Sequence, residues 1–439
     1  MAFKKDTLIS LSLDEIPKRY YNAAADIKTE PMLHPGTKEL LKEEDLAPVF
    51  TRSIIKQEMS KERYIDIPDD IRENYIYLNR PSHLQRATRL EKYLKTPAKI
   101  YFKREDMSPL GSHKGNSALA QAYYNAHDGI QTITTETGAG QWGTALAMAS
   151  NIFGIDCTVF MVRVSYDQKP FRRTIMQTYG AKVHASPSPV TEYGKKLLKE
   201  HPNTTGSLGI AISEAIEMAV QDPKVKYSLG SVANSVLIHQ SVIGQETMEQ
   251  MKKADIEPDY MVACVGGGSN FGGFALPMMR EKIRGKTECE FIGAESVAAA
   301  SLTKGELRYD FGDTAGTTPL FKMYTLGHDF IPSGIHAGGL RYHGMSPLVS
   351  AAYEQGLMKA RAYDQTETFE AGVLFAKTEG IMPAPESTHA IKAAIDLALE
   401  AKAKNESKTI VFCLSGHGLL DLAGYEKFIS GTLSSSKRN

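Results

Sequence analysis

Four short segments of this chain carry residue types that could do chemistry. In Gly111-Ser112-His113-Lys114-Gly115-Asn116 a lysine stands among small residues. Such an amine is either an ordinary solvated charge or a nucleophile that condenses with an aldehyde. For the second role it must lose its proton, which burial beside other cations favours. His113 supplies such a charge or stacks on a ring, and the sequence leaves both open. In Thr135-Glu136-Thr137-Gly138-Ala139-Gly140-Gln141-Trp142-Gly143 the glycines permit close backbone approach and positive φ. A loop of that kind can receive a carboxylate on its N–H groups, while Glu136 is either a surface charge or an acid–base group. The third segment, Gly266-Gly267-Gly268-Ser269-Asn270, is a tight crossover or a cradle for a phosphate at a helix start. In the fourth, Leu414-Ser415-Gly416-His417-Gly418, the serine is a turn residue or the partner of a pyridine nitrogen. Unlike an aspartate, it would leave that nitrogen unprotonated.

Each segment follows a run that reads as a strand. The apolar stretch 260–265 leads into the three glycines, and 409–414 leads into Ser415. The short strand 100–102 runs through Lys103 into a loop ending near Gly111, and 132–135 precedes Glu136. Helices are predicted over 117–124, 142–153, about 170–179 and up to about 199, with further strands at 157–162, 182–185 and 291–294. This alternation predicts an α/β fold with mostly parallel sheets and helices on both faces. Open sheets of that kind bind ligands beyond the carboxyl ends of their strands, where all four segments fall. Residues 1–77 are polar and proline-punctuated and read as an extension that wraps the body or covers an entrance.

The 439 residues exceed what one core usually holds, so two domains are expected. Basic and acidic residues number 51 each and form no basic stripe, which argues against nucleic acid as a partner. No apolar run approaches a membrane span. Met1-Ala2-Phe3-Lys4-Lys5-Asp6 begins no signal peptide, since Asp14 and Pro17 interrupt the short apolar stretch beyond it, and a cytoplasmic location is expected. Cys157, Cys264, Cys289 and Cys413 lie far apart and fit buried thiols in a reducing compartment. Neither a C-x-x-C nor an H-E-x-x-H spacing occurs, and no transition-metal site is expected.

Taken together and in this order, the four segments resemble the β chains of tryptophan synthase, fold-type II pyridoxal-phosphate enzymes, from about residue 81 to 424. The resemblance implies two three-layer α/β/α domains with the cofactor in the cleft between them. It divides the chain into an extension with part of the N-terminal domain (1–78), a segment crossing to the C-terminal domain (79–112), the N-terminal domain with its mobile substrate-closing region (113–231), and the C-terminal cofactor-phosphate domain (232–439). Lys114 is then the residue that holds pyridoxal 5'-phosphate, with His113 and Asn116 beside it, and Glu136 is the catalytic acid–base. Thr137, Gly138, Ala139, Gly140 and Gln141 receive the substrate carboxylate. Gly266, Gly267, Gly268, Ser269 and Asn270 hold the cofactor phosphate, and Ser415 faces the pyridine nitrogen. Glu379 resembles the family's glutamate near the cofactor's phenolic oxygen, with Pro383-Ala384-Pro385-Glu386-Ser387-Thr388-His389-Ala390 as its companion segment. Arg172 and Asp329 resemble a pair that meets when the mobile region closes, although the spacing around Asp329 differs.

Trp142, where the better-known branch has histidine, the segment Ala337-Gly338-Gly339-Leu340-Arg341-Tyr342-His343-Gly344 and the long N-terminal extension resemble the second, divergent group of these β chains. An α-subunit partner is accordingly expected to be weak or absent. Arg341 and His343 are candidates, on charge alone, for adjusting which group leaves the amino acid's β-carbon. The family implies a homodimer and a monovalent cation near the site, with no ligand set readable here.

The reaction so implied joins L-serine and indole to give L-tryptophan and water. The competing readings are another β-replacement or elimination on the same scaffold, acting on serine, O-phosphoserine or threonine, and an inactive regulatory or scaffolding homologue. The glutamate ahead of the glycine loop favours the synthase over dehydratases. A nicotinamide-binding protein fits less well, because the glycine turn lacks G-x-G-x-x-G spacing.

Overall fold

The computed structural model describes residues 7–436; residues 1–6, on which the expectation about a signal peptide rests, and 437–439 lie outside the described residues. A seven-stranded sheet runs in the order Leu8–Ile9, Leu84–Arg86, Lys99–Arg104, Thr409–Leu414, Tyr260–Cys264, Glu290–Ser296, Lys359–Tyr363. Its last five strands are parallel and its first two antiparallel. A four-stranded parallel sheet runs Lys182–Ser186, Asp156–Val162, Thr132–Thr137, Val225–Tyr227.

Both sheets are covered on two faces, as continuous apolar strands require. Successive side chains of a strand point to opposite sides. Met261 and Ala263 accordingly pack with Phe271, Phe274 and Met279 of helix Ser269–Ile283. Val262 and Cys264 face the other way, onto Ile391, Ala394 and Leu397 of helix Ser387–Ala403. In the smaller sheet Val159 and Met161 share a core with Ala145 and Leu146 of helix Gln141–Ile152. Phe160 and Val162 pack with Ala211, Ala215 and Ile216 of helix Leu208–Gln221.

Several elements run longer than the sequence predicts. The helix after Lys114 spans Gly115–His127, and the strand before the glycine loop runs on to Thr137, so Glu136 is a strand residue. The N-terminal segment is packed rather than draped. Tyr20, Ile71 and Tyr75 are fully buried, and the Tyr75 hydroxyl donates to Asn116 O at 3.0 Å, on the helix that follows Lys114. Leu8–Ile9 joins the large sheet beside Leu84–Arg86, while Leu41, Leu46 and Ile55 form a small core of their own. The hairpin Glu306–Phe311 with Leu320–Thr325 lies alongside, bridged to Leu33.

Below the cleft lies a buried ionic knot. Glu246 accepts from Arg80 Nη2 and Lys103 Nζ, each at 2.8 Å, and Arg80 also holds Glu105 at 2.9 Å. Asn116 belongs to this knot, accepting from Arg80 Nη1 at 2.9 Å and donating to Glu105 and Gln240. All four cysteines are free and buried.

Candidate active site

The four segments singled out in the sequence converge on one cleft, because each leaves the carboxyl end of a parallel strand. Lys114 and Ser415 come together through the backbone: His113 N donates to Ser415 O at 3.0 Å and His417 N to Gly111 O at 3.0 Å. The Lys114 ammonium donates to Gly230 O and, at 2.8 Å, to Ser269 Oγ. Burial pulls its pKa down to about 8, against the opposing pull of the Glu136, Cys264 and Glu386 charges. The amine is therefore easily deprotonated. His113 is not the cation that helps, since burial drives its ring down to about 3 and keeps it neutral. Its Nδ1 lies 3.3 Å from Ser415 O, which can only accept, so Nδ1 carries the proton and Nε2 faces Ser269 Oγ at 3.3 Å.

Glu136 sits across the cleft. Its Oε2 accepts the Tyr227 hydroxyl at 2.5 Å. Burial pushes the carboxyl up to about 7, while the bonds from Tyr227 and from backbone N–H groups, with the Lys114 charge, pull downward. A group poised there both gives and takes a proton near neutrality. Gly138 and Ala139 of the following loop face Gly338, with room for no side chain at Gly138: a Cβ would lie 2.9 Å from Gly338 O. Gly140 caps helix Gln141–Ile152 at φ +101° and packs on Arg172 rather than lining the cleft. Thr137 Oγ1 accepts from Gly143 N, and Trp142 Nε1 donates to Thr135 Oγ1 at 2.7 Å.

The glycine turn is closed to side chains. A Cβ on Gly266 would collide with Gly339 O, and one on Gly267 would lie 2.6 Å from Ser231 Oγ. Gly268 has φ +114°, where other residues are strained. The helix it opens, Ser269–Ile283, has no side-chain cap, so its first N–H groups stay available to an anion. Asn270 braces the turn, donating to Cys264 O at 3.1 Å. Ser415 Oγ pairs with Ser387 Oγ at 2.7 Å.

Some expected residues are placed elsewhere. Glu379, at the end of helix Gln365–Glu379, accepts from Leu90 N at 2.7 Å and caps helix Thr88–Leu94, outside the cleft. Glu386 stands in the cleft instead: Oε1 accepts from Gly339 N at 2.9 Å, and buried Oε2 has no partner. Its position directly ahead of helix Ser387–Ala403 was the available signal. Asn116 lies in the ionic knot rather than on the cleft wall. Arg172 and Asp329 are not brought together. Arg172 pairs with Asp421 at 3.0 Å, as Lys169 does at 2.5 Å, and Asp329 is exposed. Arg341 donates to Pro332 O and Ser333 O, and His343 to Phe311 O, so both hold loops rather than facing the cleft.

A second, apolar chamber adjoins the cleft and shares Glu136, Ser231 and Tyr342 with it. Leu46, Phe50 and Ile54 of the N-terminal segment wall one side, and Ile212, Ile216 and Tyr227 the other. Its wall joins residues far apart in sequence, which no local motif announces.

These residues fit pyridoxal phosphate: a buried lysine amine of lowered pKa, a glycine cradle that excludes side chains, an uncapped helix start, the Ser415 hydroxyl and the unpartnered Glu386 oxygen. Among the described residues no cluster of three or more His, Cys, Asp or Glu could hold a metal ion, and no helix is long and apolar enough to cross a membrane.

Known proteins resemble this chain in sequence and in fold. Residues 76–416 match the family model described as pyridoxal-phosphate dependent enzyme. The chain is 55% identical over 433 residues to tryptophan synthase beta chain 2 of Methanosarcina mazei, covering 98% of each. It is 54% identical over 420 residues to tryptophan synthase beta chain 2 of Thermotoga maritima, covering 95% of this chain and 99% of that one. Among solved structures it shares its fold with threonine deaminase isoform 2 of Solanum lycopersicum (TM-score 0.60, 18% identity, 83% of this chain and 94% of that one). A fungal L-serine ammonia-lyase from Rhizomucor miehei shares it too (TM-score 0.58, 15% identity, 80% and 98%). The chain belongs to the pyridoxal-phosphate dependent enzymes and, within them, to the tryptophan synthase β chains of the second type.

Proposed function

We propose that this chain joins L-serine and indole to give L-tryptophan and water. The observation that carries the reading is the position of Glu136, a carboxyl poised at about 7 on the wall shared by a lysine-bearing cleft and an apolar chamber. Pyridoxal phosphate, when bound, supplies the electron sink that makes the amino acid's α-proton acidic and its β-substituent labile. Lys114 would hold that group through its readily deprotonated amine and would carry the proton at Cα. The N–H groups of residues 266–270 would hold its phosphate, and the Ser415 hydroxyl would serve its ring nitrogen. Thr137, Gly138, Ala139 and Gln141, which line the cleft, orient the substrate carboxylate, and Gly140 shapes the turn between them. Glu136 gives a proton to the departing β-hydroxyl and later accepts one from the indole ring, for which the adjoining apolar chamber offers room.

Serine is favoured over O-phosphoserine, because Lys114 is the single lysine or arginine lining the cleft among the described residues. A second phosphate has no cation to meet there. The chamber's outer wall belongs to this chain's own residues 32–58, which supports activity with little or no contribution from an α-subunit. The working form we propose is a cytoplasmic homodimer.

The test is an activity panel on the purified protein: serine, O-phosphoserine and threonine, each with and without indole, with K⁺ or Na⁺ and with an α-subunit added or omitted. Indole-dependent tryptophan formation from serine, exceeding ammonia release, is expected. Ammonia release that indole neither diverts nor slows would assign the chain to a dehydratase instead.

A further inference from the structure

We infer that Tyr227, braced by residues 47–50 of the N-terminal segment, is a positioning residue that fixes and tunes the Glu136 carboxyl. The inference rests on the acid–base role proposed for Glu136.

The sheet register brings the two side chains together. Val225–Tyr227 is a three-residue edge strand, and Tyr227 stands opposite Thr134 of the neighbouring strand. Glu136 lies two residues beyond Thr134 and so projects from the same face. The Tyr227 hydroxyl reaches Glu136 Oε2 at 2.5 Å, a length typical of a hydrogen bond to a charged oxygen. Both groups are shut away from water, with Tyr227 at 3% and Glu136 at 4% exposure. That bond fixes the carboxyl in one orientation on the wall shared by cleft and chamber.

An edge strand of three residues would be a poor anchor by itself. Here its free edge is occupied by the N-terminal segment. Tyr227 N donates to Val49 O at 2.9 Å, and Lys226 Nζ donates to Ala47 O at 2.8 Å and Pro48 O at 3.0 Å. The Phe50 ring packs on the Tyr227 ring with centroids 5.7 Å apart. The extension therefore reaches the acid–base group through one tyrosine, without touching the cofactor cleft.

The phenol remains a donor throughout the working pH range. Burial and the nearby Glu136 charge both push its own pKa well above the usual value. The other charged or titratable groups that bear on the pair are Lys114 on the cleft side and Tyr342 and Asp313 behind Tyr227. Lys114 and Tyr227 both favour the ionised carboxyl against burial.

The experiment compares wild type with Tyr227→Phe and Phe50→Ala as holoenzymes. The Glu136 carboxyl is titrated by infrared difference spectroscopy against Glu136→Gln, and kcat and KM for indole are measured in parallel. Tyr227→Phe keeps the ring and should retain the cofactor's absorbance. Its Glu136 titration should move up by about one pH unit. Its kcat should fall about 10-fold, with KM for indole changed less than about 2-fold. Phe50→Ala should move the titration the same way by a smaller amount. An unmoved titration in Tyr227→Phe overturns the inference, and one unmoved in Phe50→Ala removes the bracing role. Full turnover in Glu136→Gln would instead sink the catalytic reading of Glu136, while the infrared titration still decides whether Tyr227 tunes the carboxyl.

Discussion

Lys114 Nζ lies 2.8 Å from Ser269 Oγ, so the helix starts belonging to the two sheets meet at one amine. Either helix end alone would offer a generic anion site. Their meeting gives a phosphate and an aldehyde carbon on one molecule two anchors at once.

Lys114→Ala should therefore lose the wild-type absorbance band at equal cofactor loading, leaving only that of the unlinked aldehyde. Ser269→Ala should retain it but bind the cofactor about 10-fold more weakly, equivalent to one lost hydrogen bond of about 1.4 kcal/mol. Absorbance titration of cofactor-stripped protein reads both, and a Lys114→Ala protein with the wild-type band would contradict the assignment.

Glu386 and Glu379 separate cleanly. Glu386→Gln should shift the bound cofactor's absorption maximum, because the Glu386 carboxylate lines the cleft with one oxygen unpartnered. Glu379→Gln should leave the spectrum alone and cost about 1 kcal/mol of stability through the weakened cap at Leu90. A spectral shift confined to Glu379→Gln would reverse the placement.

Glu246 anchors the ionic knot beneath the cleft, and truncating it leaves Lys103 buried with no carboxylate partner and Arg80 with Glu105 alone. Glu246→Ala should cost about 3–5 kcal/mol in equilibrium denaturation. A loss below about 1 kcal/mol would show that water reaches the knot.

Stability should fall with acidification. His113 and His239 are held neutral by burial down to about 3, and His336 and His389 to about 4. The unfolded chain takes up these protons near 6.5, so the folded state binds fewer and loses about 1.4 kcal/mol per pH unit for each. Glu136 and Glu295, raised to about 7, act oppositely between 7 and 4.5, where the folded state binds more protons. Below 4.5 that offset ends, and Glu105, held down to about 2 despite its burial by Arg80 and Lys103, adds to the loss. Urea midpoints should decline from pH 6.5 to 4.5 and more steeply below; a midpoint rising toward pH 4 would contradict the buried neutral histidines.

The parts of the site legible in the sequence are those carried by a strand end and the loop it feeds. Lys114, Glu136, the turn at 266–270 and Ser415 all meet that condition. Less visible were residues whose role depends on distant partners. Arg172 finds Asp421 across 249 positions, and Tyr227 finds Glu136 across 91. Glu379 and Glu386 lie seven residues apart, and only the turn between two helices decides which enters the cleft. The parallel α/β layers followed from the strand–helix alternation. The packing of residues 7–78 did not, because that segment has short, irregular elements and takes its order from the body it covers.

The acid–base role of Glu136 is tested most directly by tryptophan yield from serine and indole, measured side by side for wild type and Glu136→Gln with cofactor loading verified in both. Wild type should form tryptophan steadily, and the variant should lose about 100-fold or more at unchanged cofactor content. Equal yields from the two proteins, or none from wild type, would contradict that role.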